Sequence, residues 1–215
     1  MNFIFIILTF LISAVIARIL IPRILLISLR KKLFDIPDDR KIHKRAIPRL
    51  GGVSFFPTTL FAFCLVYAFR LLDGNSISTL YASYLLPELL LFACGMTLLY
   101  LTGIADDLVG VRYRQKFAIQ IFCACLFPLS GLWINDLYGL FGIHELSAYV
   151  GIPFTVLTVV FITNAINLID GIDGLASGLN SVALLVFTFL FISKGLWSYA
   201  MLSAGTFGVL VPFFY

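Results

Sequence analysis

Seven apolar runs constrain this chain more than any other feature, at about residues 3–29, 53–72, 85–104, 117–135, 151–169, 175–193 and 197–215. Each approaches the ~20 residues a helix needs to cross a hydrocarbon layer. Inside lipid no water satisfies a backbone N–H or C=O, so such runs must be helices and not open strands. Composition closes off a soluble alternative. Hydrophobic residues make up 61% of the 215 and charged residues 12%, and mean hydropathy is +1.05. A soluble domain carries about twice that charged fraction, and too few polar residues remain to cover a water-facing surface. The expected fold is all-α: a polytopic transmembrane bundle of about seven helices, forming one membrane domain over residues 1–215. The first run lacks a basic leader and a small-residue cleavage site, so it reads as a helix and not as a signal peptide.

Charge sets the expected topology. The connections at about 30–52, 105–116 and 170–174 alternate with the others and fall on one side. The first holds Arg30, Lys31, Lys32, Arg40, Lys41, Lys44, Arg45 and Arg49, and the second holds Arg112, Arg114 and Lys116. Only Arg70 and Lys194 lie near helix ends on the opposite side. The positive-inside rule then predicts cytoplasmic basic connections and an N-terminus outside. Cys64, Cys94, Cys123 and Cys125 sit inside apolar runs without metal-ligand spacing and read as packing residues. The last run closes on Val-Leu-Val-Pro-Phe-Phe-Tyr215 with no polar flank, so the chain reads as cut short.

Three polar constellations fall on the basic side. In the first connection, Arg40, Lys41, His43 and Arg49 lie among Pro37, Pro48 and the Gly51–Gly52 pair. A generic basic loop attracts anionic lipid heads, whereas proline and glycine give this one a defined backbone shape. Arginine and lysine on a shaped loop suit a phosphate. The second constellation is Asp106-Asp107, followed by Arg112, Arg114 and Lys116. Adjacent carboxylates suit metal binding or proton abstraction, and the plainer reading is a charged helix end. The third is Asn164, Asn167, Asp170 and Asp173, three residues apart, with Gly171 and Gly174 between and after the aspartates. Such steps place neighbours on adjoining parts of one helix face. Polar groups at that depth are expensive in lipid and mark function by default, against a plainer role as interhelical glue. Oxygen donors without a Cys/His cluster favour Mg²⁺ or Mn²⁺ over zinc. Together they supply what phosphoryl transfer needs, positioning and charge neutralisation.

From about Asp35 to Gly178, these three motifs in this order resemble the polyprenyl-phosphate N-acetylhexosamine-1-phosphate transferases. The Arg40-Lys41, His43 and Pro48-Arg49-Leu50-Gly51-Gly52 elements look like the branch acting on undecaprenyl phosphate and UDP-N-acetylglucosamine. The resemblance implies transfer of a sugar-1-phosphate from a UDP-sugar to the lipid phosphate with release of UMP, at the cytoplasmic face of the plasma (inner) membrane. It implies that Asp106 and Asp107 serve the lipid phosphate, one of them deprotonating or orienting it. Lys116 matches a lysine contacting the donor's phosphates, and Asn167 matches a metal-contacting asparagine. Asp170 matches a position beside metal and pyrophosphate, and Asp173 one that contacts uridine. Asn164, Arg40, Lys41, His43 and Arg49 join the expected substrate-binding set. The implied partners are a UDP-N-acetylhexosamine, undecaprenyl phosphate, Mg²⁺ and the bilayer, with no nucleic acid; a homodimer is compatible. The family's later Gly-Asp-rich and His-rich loops do not occur in these 215 residues, so a portion of a longer transferase is expected. Two other readings stay open: a truncated non-catalytic remnant, and a transporter or flippase, which would place ionisable groups near mid-bilayer.

Overall fold

A computed structural model describes residues 2–35, 47–48, 50–72, 79–170 and 174–213. Among the described residues seven α-helices run in order: α1 (Asn2–Arg30), α2 (Phe55–Leu72), α3 (Thr79–Val109), α4 (Tyr113–Leu129), α5 (Ala148–Ile169), α6 (Leu175–Ser193) and α7 (Trp197–Phe213). The all-α expectation holds. The one sheet among the described residues is a clip of two-residue strands, β1 (Phe34–Asp35) and β2 (Ile47–Pro48), paired antiparallel. Among the described residues five helical stretches are long and apolar enough to cross a membrane: Asn2–Arg30, Gly51–Leu72, Leu85–Val109, Ala148–Ile169 and Leu175–Ser193. The other two helices, α4 and α7, have 17 residues each, at the short end of the usual range for a span.

The described chain packs as two compact units, residues 1–77 with 169–215, and residues 78–168. In the first unit, α1, α2, α6 and α7 meet through small residues. Thr9, Ser13, Ala17, Ala62, Ser198 and Ala200 are fully buried, whereas Phe3, Ile4, Val15, Phe61 and Val182 stand more than half exposed. This inverted pattern belongs to helices in lipid, where tails are as apolar as leucine and association depends on close backbone approach and interhelical hydrogen bonds. The Ser203 hydroxyl donates to the Leu184 carbonyl across α6 and α7 at 2.9 Å. Buried Arg70 donates to the Ser198 hydroxyl across α2 and α7 at 3.2 Å. Aromatic pairs Phe3–Trp197 and Phe10–Phe207 close the α1–α7 seam.

In the second unit, α3 packs on α4, with Gly95 against Cys123 and Leu126 and Phe92 edge-on to Phe127. The expected fourth run to residue 135 is shorter as a helix. Pro128 and the left-handed Gly131 (φ 91°) end it, and a hairpin-like connection follows through the Asp136–Glu145 bridge. That connection docks on α5, because the Ile134 N–H donates to the Thr155 hydroxyl at 2.8 Å. A Cβ on Gly151 would stand 2.5 Å from the Ile134 carbonyl oxygen and from the Trp133 ring. Gly151→Ala therefore overpacks this junction and lowers stability by about 1–3 kcal/mol, to be read as an earlier thermal transition in detergent.

Candidate active site

The second unit carries Asp106, Asp107, Lys116, Asn164 and Asn167 of the residues singled out from the sequence. Helix α3 continues through the acidic pair that the sequence placed in a connection and stops at Val109. Leu108 and Val109 offer nothing to break a helix. Gly110 does, taking φ 74° and donating its N–H to the Asp106 carbonyl at 3.0 Å, the left-handed stop that only glycine adopts without a Cβ penalty. The Asp106 side chain completes the turn. Its Oδ1 accepts the Val111 N–H at 3.0 Å, and its Oδ2 accepts Lys116 Nζ at 2.8 Å. Both side chains are about three-quarters buried or less, with Lys116 27% and Asp106 30% exposed. Asp107, next along, is exposed.

Lys116 lies in the first turn of α4, whose first residue is Tyr113. A helix N-terminus carries partial positive charge and disfavours a cation. The Asp106 carboxylate offsets that field and fixes the ammonium at the mouth of the α3–α4 turn. Nearby, the Arg114 guanidinium engages its neighbour Tyr113, donating to the phenol oxygen at 3.0 Å.

One turn past Lys116, Gln120 is buried at 5% exposure. Its Oε1 accepts a hydrogen bond from Asn164 Nδ2 on α5 at 2.8 Å. Together with the Ile134–Thr155 bond, this pairing sets α4 and α5 running antiparallel. Lys116 lies four residues before Gln120 on α4, and Asn167 three residues after Asn164 on α5, each about one helical turn from that bond. Asn167 is exposed. Asp170 follows directly as an exposed turn residue just past α5. Gln120 was not singled out from the sequence, although a lone amide four residues after Lys116 within an apolar run was the signal. Arg40, Lys41, His43, Arg49 and Asp173 lie outside the described residues.

A sequence model of glycosyl transferase family 4 matches residues 89–215, more than half of the chain and the whole of this arrangement from Asp106 to Asp170. The chain belongs to that family. Relatives carry names from two of its branches. A probable undecaprenyl-phosphate N-acetylglucosaminyl 1-phosphate transferase of Bacillus subtilis is 30% identical over 88% of this chain and 49% of its own length. An undecaprenyl-phosphate alpha-N-acetylglucosaminyl 1-phosphate transferase of Escherichia coli is 28% identical over 80% of the chain and 44% of its own. A phospho-N-acetylmuramoyl-pentapeptide-transferase of Staphylococcus carnosus is 28% identical over 99% of the chain and 65% of its own. The chain thus spans about half the length of the first of these curated relatives. The basic connection that the sequence used to choose between branches lies mostly outside the described residues.

Among the described residues no three His, Cys, Asp or Glu side chains cluster as a metal cage.

Proposed function

We propose that the protein transfers an N-acetylhexosamine-1-phosphate, N-acetylglucosamine-1-phosphate foremost, from a UDP-sugar to undecaprenyl phosphate and releases UMP. The observation that carries this reading is the Asp106–Lys116 pair with Asp107 exposed beside it, in a chain of this family. Phosphoryl transfer asks the protein mainly to position phosphates and neutralise charge. Lys116, held by Asp106, supplies a fixed cation for the donor diphosphate. Asp106 is turned towards the Val111 N–H and Lys116 while Asp107 is the more exposed of the two, so Asp107 is the better candidate to take the proton from, or to orient, the lipid phosphate. Asn167 and Asp170 would hold Mg²⁺, which when bound neutralises the diphosphate of the departing nucleotide. Asp173 would meet the uridine, and Arg40, Lys41, His43 and Arg49 would add phosphate and sugar contacts. By the positive-inside rule the basic connections favour the cytoplasmic face for this chemistry. Glucosamine is favoured over the muramoyl-pentapeptide because the Arg40–Gly52 connection resembles the former branch.

The test is UMP release by the full-length protein in the presence of undecaprenyl phosphate and Mg²⁺, over a panel of UDP-N-acetylhexosamines and UDP-N-acetylmuramoyl-pentapeptide. Release with UDP-N-acetylglucosamine supports the proposal. Release with the pentapeptide donor alone moves the protein to the other branch. Silence with every donor removes the transferase reading.

A further inference from the structure

Asparagine is ambiguous as a binding residue, since one edge of its carboxamide donates and the other accepts. In this structure the ambiguity is resolved. Asn164 Nδ2 donates to Gln120 Oε1 at 2.8 Å and to the Val160 carbonyl, one turn back on α5, at 2.8 Å. Both amide protons are committed, and among the described residues Oδ1 has no hydrogen-bond partner. Gln120 is buried while Asn164 is only half-buried, so the glutamine is the anchor and the asparagine the group that faces outward from it.

We infer that Gln120 is a positioning residue that fixes the Asn164 carboxamide with its carbonyl oxygen outward, making Asn164 an acceptor-only contact in the site. The chemistry of what it can take follows. A phosphate oxygen offers no proton, so an outward Oδ1 repels it. A divalent cation or an N–H or O–H of the nucleotide-sugar is a match. Asn164 lies three residues before Asn167 on the same helix, and Gln120 four residues after Lys116 on α4. The amide pair therefore lies about one helical turn from Lys116 along α4 and from Asn167 along α5. Removing the Gln120 oxygen frees the Asn164 amide to turn its NH₂ outward, and a cation or donor group then meets protons instead of a lone pair. The inference rests on the transferase reading of the site.

The experiment uses the full-length protein in detergent with undecaprenyl phosphate, UDP-N-acetylglucosamine and Mg²⁺, comparing Gln120→Leu, Gln120→Glu and Asn164→Asp with the parent. Gln120→Leu keeps the volume and loses the acceptor. It is expected to raise either the half-saturating Mg²⁺ or the KM for the UDP-sugar about tenfold, the scale of one hydrogen bond, with kcat changed much less. A shift in Mg²⁺ identifies the cation as the ligand, and a shift in KM identifies a donor group of the nucleotide-sugar. Gln120→Glu retains an acceptor for Asn164 and is expected to restore most of the loss. Asn164→Asp removes both donated hydrogen bonds and is expected to lose at least as much as Gln120→Leu. Should Gln120→Leu fail to fold, the other two variants decide: a tenfold loss with Gln120→Glu, or parent-like kinetics with Asn164→Asp, overturns the inference. An active parent with Gln120→Leu indistinguishable from it, or with kcat alone reduced, overturns the inference and leaves the transferase reading standing. A parent that releases no UMP from any donor overturns both.

Discussion

Asp107→Asn in the full-length protein lowers the rate of UMP release by about 10²- to 10³-fold, the range expected when a positioned general base is lost. The sequence presents two carboxylates as equals. Asp106 closes the α3–α4 turn with one oxygen and binds Lys116 with the other. Asp107, on the next helical position, is the more exposed of the two, the side from which the proposed lipid phosphate would approach. Its amide isostere keeps the shape and removes the basicity. Asp106→Asn should behave differently. It keeps an oxygen for the Val111 N–H and loses the charge that retains Lys116, so its main effect is a raised KM for the UDP-sugar. Steady-state kinetics of both variants check the division of labour. A larger fall in kcat for Asp106→Asn than for Asp107→Asn would reverse the assignment, and full activity in both would end it.

The second large effect concerns the bundle. A Cβ built on Gly208 meets the Ser13 hydroxyl oxygen and stands 2.5 Å from the Phe10 carbonyl oxygen, both on α1. Three residues earlier, a Cβ on Gly205 would stand 2.9 Å from the Thr9 methyl. Backbone of a neighbouring helix cannot yield as a side-chain tip can, so Gly208→Val must push α1 and α7 apart. The expected loss is about 3 kcal/mol or more. Trp197 packs edge-on to Phe3 across the same seam, with ring centroids 5.4 Å apart, and its fluorescence during thermal unfolding in detergent reports the change. Gly178→Ala on α6 is the control, because a Cβ there meets nothing within 4 Å and alanine favours the helix. Equal melting of the two variants would mean that the α1–α7 seam does not depend on close approach.

Helix positions were legible in the sequence because lipid leaves one solution for a long apolar run. The run at 175–193 coincides with α6, and 3–29 falls one residue inside α1 at each end. The end of α3 was less legible. Two aspartates look like a connection, yet they face no obstacle to staying helical, and the chain leaves the helix only where Gly110 permits it. The pairing of Lys116 with Asp106 instead of Asp107 was also beyond the sequence, since it depends on the phase at which α3 stops relative to the first turn of α4. Gln120 escaped notice for a related reason. An amide within an apolar run has no visible partner until the register of α4 against α5 sets it opposite Asn164.

The clip between β1 and β2 pairs Phe34 with Pro48 and Asp35 with Ile47, so the chain leaves and re-enters the helical frame at a single point. A segment tethered in this way adds only about 0.6 kcal/mol of closure entropy each time its length doubles. Its sequence and length can therefore change while α1 and α2 keep their packing. The neck is a natural seam for grafting, where the connecting segment could be exchanged for another without redesigning the helices that carry it.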